Sequence, residues 1–317
     1  MKNIKIYFVI SIIAMLLSSC NNRQETQTLH VIHAGSLTHP VHKISKAFEE
    51  ENPGIKVLSE AWGSKAGARR IIELDNPADV FLSADYMVIE NMLIPEHADW
   101  YINFASNEMS IVYTNKSKYS DQITTDNWYK VLLKEDVSMG RSNPEHDPCG
   151  VRAVFTCQLA EKYYNEDELS TALLSKDTKN IRPKETDLIA MLESGHIDYI
   201  FLYRSVAEQH KLEYITLPDS VNLGNPELDD WYSNANTITL GSAPGETIKE
   251  IGQSMIYGLT IPNKTQNPSL AEKFVKFVLE KEKGLKILEE SGQAGIVPAY
   301  TSHYDRLPEG LKKYAVE

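Results

Sequence analysis

Short apolar runs with strand character alternate with segments of helical period along most of this chain, and that alternation is the strongest constraint on its fold. A strand from Thr28 to Ile32 precedes a helix from Pro40 to Glu51, where Val41, Ile44, Ala47 and Phe48 recur at helical spacing until Asn52-Pro53-Gly54 ends it. A strand from Ile55 to Leu58, a helix from Lys65 to Leu74, a strand from Val80 to Leu82, a helix from Tyr86 to Leu93 and a strand from Met109 to Tyr113 continue the pattern. Each helix returns the chain to the edge where its strand began, so the spacing predicts α/β units on a largely parallel sheet.

A second group follows. Helices from Trp128 to Leu133, Pro148 to Tyr164, Thr186 to Glu193 and Arg204 to His210 alternate with strands from Val137 to Met139, Tyr199 to Leu202 and Tyr214 to Leu217. The chain then returns through a strand from Met255 to Ile261 and helices from Ser269 to Glu280 and Gly284 to Glu289. Two α/β lobes are expected, one from residues 28–110 plus 256–317 and one from 111–255, with crossovers near Ser110 and Met255. About 290 residues suffice for two cores. Lobes of this kind hold ligands in the cleft between them and close by a hinge.

The first residues are set apart from this body. Lys2 and Lys5 precede an apolar run from Ile6 to Leu17, which is too short for a stable membrane span and leads into Ser18-Ser19-Cys20. Residues 1–19 therefore read as a lipoprotein signal and 20–27 as a polar tether lipidated at Cys20, which places the mature chain outside the cytoplasm on a membrane, periplasmic or at the cell surface. Loss of Lys2 and Lys5 takes the net charge from −12 to −14, which disfavours nucleic acid and anionic membrane surfaces as partners. Cys149 and Cys157 fall on one helix, about 12 Å apart by helical rise, too far to pair with each other.

Against that charge, the candidate ligand residues are suited to an anion. Asp147-Pro148-Cys149-Gly150 and Pro183-Lys184-Glu185-Thr186 each put a carboxylate at a helix start, where free N–H groups and the positive end of the macrodipole lie. A carboxylate there is also a complete N-cap, with Pro148 at the first helical position. Cys149 and Gly150 leave two amides beside small side chains, open to close approach by an oxyanion. Gly35-Ser36 after the first strand and Gly63-Ser64 after the second repeat one arrangement in successive units. Tyr203 ends a core strand at its carboxyl edge, where open α/β sheets bind ligands. Neither G-x-G-x-x-G nor a Walker lysine is present, so nucleotides are not indicated.

These residues, together with His33-Ala34-Gly35-Ser36-Leu37, Asp79-Val80-Phe81-Leu82-Ser83-Ala84-Asp85-Tyr86, Asp126-Asn127-Trp128-Tyr129, Gly140-Arg141-Ser142 and Tyr257-Gly258-Leu259-Thr260-Ile261-Pro262, resemble the tungstate/molybdate-binding proteins of ABC importers, of the archaeal WtpA/ModA type, in order along the whole mature chain. The resemblance implies a two-lobed periplasmic-binding-protein fold of type II and a six-coordinate metal centre. In that centre four oxo groups are completed by carboxylates that fall on Asp147 and Glu185. Gly35, Ser36, Ser64, Pro148, Cys149, Gly150 and Tyr203 surround the ligand, Pro148 without an N–H to give. It further implies an ABC permease with its ATPase as partner, a monomeric chain, no cofactor and no catalysis. Trp62 stands where a small residue is expected, either lining the cleft wall or packing under it.

Other chemistries remain open at this point. Asp147, Glu185 and Cys149 with His33 or His146 could form a hydrolytic site or hold a metal cation, although no nucleophile and base stand at a known spacing. Phosphate or sulfate could replace the larger oxyanions in the same cleft.

Overall fold

The computed structural model describes residues 26–73, 78–183, 185–240 and 247–317. The expected signal, Cys20 and the tether up to residue 25 lie outside the described residues, and Gln27, assigned to the tether, instead opens the first strand.

Along the chain, β1 (Gln27–Ala34), β2 (Ile55–Trp62), β3 (Val80–Ser83) and β4 (Ile102–Ser106) are followed by β5 (Met109–Tyr113), β6 (Met139–Ser142), β7 (Ile181–Arg182), β8 (Tyr199–Tyr203) and β9 (Glu213–Thr216). A hairpin of β10 (Asn236–Leu240) and β11 (Thr247–Ile251) leads to β12 (Ile256–Thr260) and later β13 (Ala294–Gly295). One sheet has the order β13-β4-β12-β3-β1-β2 and the other β7-β6-β8-β5-β9. Residues 109 and 110, expected in the first lobe, begin β5 in the second sheet.

The sheets are mixed rather than largely parallel. Strand β1 runs parallel to β2 and β3, and β6 to β7 and β8, but β12 is antiparallel to β3 and β4, and β5 to β8 and β9. Strand β5 receives the chain directly from β4 of the other sheet, with no helix to return it to the starting edge, and β12 receives it from the β10–β11 hairpin, so both enter against the direction of their neighbours. Their entry points lie side by side, because Asn107, in the link from β4 to β5, donates its N–H to the carbonyl of Met255 just before β12 at 3.0 Å.

Each sheet has its own core. In the first, Leu29, Val31, Ile44, Phe104 and Tyr257 are buried, and Phe48 meets Phe274 and Phe277 edge to face at 5.1 and 5.5 Å. In the second, Trp128 packs on Phe201 at 6.0 Å, and the Pro148–Tyr164 helix is buried on most of its circumference through Cys149, Ala153, Phe155, Cys157 and Leu159. A helix apolar nearly all round belongs inside a domain, and burial along this one fixes where Asp147 stands.

Parallel pairing has a functional consequence. The carboxyl ends of β1, β2 and β3 lie together, as do those of β6, β7 and β8, so the segments after them gather at one edge of each sheet. Every residue proposed from sequence to touch a ligand is at such an end.

Candidate functional site

Asp147 caps the Pro148–Tyr164 helix in extended conformation (φ −136°, ψ 124°), its Oδ1 accepting the N–H of Cys149 at 2.9 Å. Its Oδ2 accepts the N–H of Glu185 at 3.1 Å, and Glu185 is the first residue of the Glu185–Glu193 helix. One carboxylate thus joins two helix starts. Glu185 itself is turned inward, and its Oε2 has no hydrogen-bond partner among the described residues. Burial, reinforced by the charge of Asp147, pushes the Glu185 carboxyl up to about 8. Burial raises Asp147 too, opposed by the amides of Cys149 and Glu185 and by the charge of Arg152. Glu185 therefore holds a proton near neutral pH, unlike the two ionised carboxylates that bare sequence suggests.

Arg152 was absent from the sequence expectations and is central to the site. Only 7% exposed, it donates through Nη1 to Tyr203 Oη at 3.3 Å and places Nη2 3.8 Å from Asp85 Oδ2. Asp85 caps the Tyr86–Met92 helix after β3, so this ion pair joins the two lobes. Burial disfavours the Arg152 charge, but Tyr203, Asp85 and Tyr257 outweigh it and the group stays ionised. The available signal was a lone arginine between Val151 and Ala153 on an apolar helix, since a charge in such a setting must be paired.

From the first lobe, Ser36 lies in the Gly35–Leu37 turn after β1, buried, with Oγ 3.1 Å from Tyr257 Oη and its carbonyl accepting Gln293 Nε2 at 3.1 Å. Tyr257 is fully buried and feels the charges of Arg152 and Glu185, which links Ser36 to the carboxylates. Ser64 opens the Ser64–Glu73 helix and accepts the N–H of Ala84 at 3.0 Å. A Cβ added at Gly35 or Gly63 would meet nothing within 4 Å, so the backbone there is open to approach. Trp62, 38% exposed at the end of β2, lies beneath the Arg70 guanidinium at 4.4 Å.

Two expectations change. The amides of Cys149 and Gly150 are both engaged by Asp147, the first by its Oδ1 and the second by its carbonyl at 2.9 Å, instead of facing a ligand. A side chain on Gly150 would come within 2.5 Å of the Ser142 carbonyl oxygen and 2.6 Å of the Asn143 and Pro144 backbone, so this glycine serves close packing of the helix start. Pro148 supplies the N1 position.

The Cys149 thiol faces the Phe201 carbonyl at 3.8 Å and burial pushes it well above its ordinary value, which leaves a neutral thiol unsuited to nucleophilic attack or cation binding. His33 is buried, with Nδ1 at its neighbour's carbonyl, and burial lowers its pKa. Among the described residues no group of three or more His, Cys, Asp or Glu could hold a metal ion, and no helix is long and apolar enough to cross a membrane.

This chain shares sequence with several solute-binding proteins. An uncharacterized solute-binding protein of Petrotoga mobilis is 48% identical over 290 residues, 91% of this chain and 90% of its own length. The molybdate/tungstate-binding protein WtpA of Thermococcus kodakarensis is 40% identical over 322 residues, 93% of this chain and 89% of its own length. Among solved structures, the periplasmic molybdate-binding protein of Azotobacter vinelandii superposes with TM-score 0.58 at 17% identity, over 85% of this chain and 99% of its own. The sulfate-binding protein SubI of Mycobacterium tuberculosis superposes with TM-score 0.59 at 14% identity, over 86% of this chain and 88% of its own. The likeness at such identities is one of fold, the two-lobed α/β fold of periplasmic solute-binding proteins, and that fold leaves the anion open. The profile of bacterial extracellular solute-binding proteins matches residues 29–293, and with relatives this similar over nearly its whole length the chain is a member of that family.

Proposed function

We propose that this protein captures tungstate or molybdate outside the cytoplasm and passes it to an ABC permease driven by its ATPase. The observation that carries this reading is the convergence of the half-buried Asp147 and Glu185, with the buried Glu185 Oε2 lacking a hydrogen-bond partner among the described residues. A buried acceptor without a donor is costly unless something else engages it. Tungsten(VI) and molybdenum(VI) do so by accepting oxygen ligands beyond their four oxo groups, and the two carboxylates complete six-coordination. Sulfur in sulfate does not expand in this way, so sulfate gains no bond to either group and meets the repelling charge of Asp147. The 40% identity to a molybdate/tungstate-binding protein supports the same choice of cargo.

In this scheme Ser36, Ser64 and Tyr203 give hydroxyl hydrogen bonds to the oxo groups, and Gly35 lets the ligand approach the backbone. Pro148, Cys149 and Gly150 hold Asp147 in place. Lobes of residues 28–110 plus 256–317 and 111–255, with the boundary drawn back to the link at 107–108, close over the anion. The chain acts as a monomer, tethered to a membrane by acylated Cys20.

Calorimetric titration of the chain from residue 21 onward in a non-phosphate buffer tests the proposal. Tungstate and molybdate should bind one to one, sulfate and phosphate should not, and Asp147→Ala and Glu185→Ala should each abolish tight binding. Sulfate or phosphate binding as tightly, or full tungstate affinity in both variants, would overturn it.

A further inference from the structure

We infer that Tyr257 and Asn107 are positioning residues that fix the Ser36 hydroxyl as a hydrogen-bond donor toward the anion, an inference that rests on the oxyanion reading above. Asn107 is buried in the link between β4 and β5. Its Oδ1 accepts the N–H of Glu108 at 2.9 Å and that of Ser205 at 3.4 Å. Only the carbonyl oxygen of an amide can meet two N–H donors, so the orientation of the Asn107 side chain is determined. Its Nδ2 then donates to Ser205 Oγ at 2.7 Å and to Tyr257 Oη at 2.8 Å.

Tyr257 has one proton to give, and its partner on the other side is Ser36 Oγ at 3.1 Å. An N–H group cannot accept that proton, so the Tyr257 O–H points at Ser36. Ser36 Oγ accepts, and its own hydrogen is left for a group in the cleft. Burial raises the Tyr257 pKa, which keeps the proton in place.

The other two hydroxyls assigned to the ligand follow the same rule. Ser64 Oγ accepts from Ala84 and Tyr203 Oη accepts from Arg152. At all three, a protein donor stands behind the oxygen and the hydroxyl proton faces forward, matched to oxo groups that only accept. Ser36 differs in that its donor is a hydroxyl, able to give or to accept, whose direction is set by Asn107, so its polarity can be reversed by substitution.

A double-mutant cycle read by tungstate titration tests the relay. Tyr257→Phe should weaken binding about tenfold when Ser36 is present and less than about twofold in the Ser36→Ala background. Asn107→Asp presents an acceptor to Tyr257, which then accepts from Ser36, and it should lose as much affinity as Ser36→Ala. This arm stands by itself if Tyr257→Phe does not fold. Additive losses in the cycle, or wild-type affinity in Asn107→Asp, would overturn the relay alone. A wild-type chain that takes up neither tungstate nor molybdate would remove the oxyanion reading and the relay together.

Discussion

Asp147 accepts the backbone N–H of Glu185, 38 residues along the chain, with the oxygen it does not use to cap its own helix. The start of the Glu185–Glu193 helix is thereby set by the start of the Pro148–Tyr164 helix, and two carboxylates are held close whatever the intervening chain does. The same closeness burdens Glu185, whose buried Oε2 lies near the charge of Asp147.

That burden makes stability depend on pH. The carboxyl of Glu185 goes from an ordinary 4.5 to about 8 on folding, so the folded state binds the proton more tightly. Its contribution is fully present below 4.5, is lost as pH rises from 4.5 to 8, and is level above. Glu185→Gln removes the titration and should gain stability over wild type across that window, by about 1–3 kcal/mol at pH 8.5. Urea unfolding of both proteins at pH 5 and 8.5 checks this; an equal difference at the two pH values would contradict it.

Cargo binding should release a proton. Glu185 must be ionised to act as a metal ligand, so near pH 7 tungstate uptake is expected to expel close to one proton. Affinity then rises with pH and levels off above about 8. Calorimetry at one pH in buffers of different ionisation enthalpy measures the count. A heat independent of buffer would mean that Glu185 keeps its proton and serves as a hydrogen-bond donor to an oxo group.

Two glycines should behave in opposite ways. Gly150→Ala forces its new methyl against the backbone of residues 142–144, shifting the N-cap, and should cost about 1–3 kcal/mol in stability together with ligand affinity. Gly35→Ala meets open space and should change stability by less than about 0.5 kcal/mol while obstructing the anion. Thermal unfolding beside titration separates the two effects.

Arg152→Met leaves Tyr203 Oη without its donor and Asp85 without its partner across the cleft. Tungstate affinity is expected to fall at least about tenfold, because a mostly buried charge pair is broken and the positive charge near Asp147 is lost. Lys56→Met breaks only the exposed pair with Glu49 and should leave affinity within about twofold. Equal effects of the two substitutions in the titration would remove Arg152 from the site.

Several elements were legible because their physics is local. The helices Pro148–Tyr164 and Arg204–His210 and the strand Met109–Tyr113 begin and end where periodicity, capping and proline place them. Strand β4 was not legible: Ile102-Asn103-Phe104-Ala105-Ser106 is buried throughout and shows no alternation between faces. The hairpin of β10 and β11 was missed as well, and β6 proved to be Met139–Ser142 because Val137 bonds back to Lys134 in a turn and Gly140-Arg141-Ser142 join the sheet despite weak strand propensity.

By itself the sequence determined the α/β alternation, the helix starts and the residue types at the strand ends, all set by interactions within a few positions. Tertiary structure alone decided the antiparallel entry of β5 and β12, the meeting of Asp147 with Glu185, the pairing of Arg152 with Asp85 and the proton on Glu185. Each of these depends on distances between residues far apart in the chain and on how much water is removed around them, and neither quantity is encoded in local spacing.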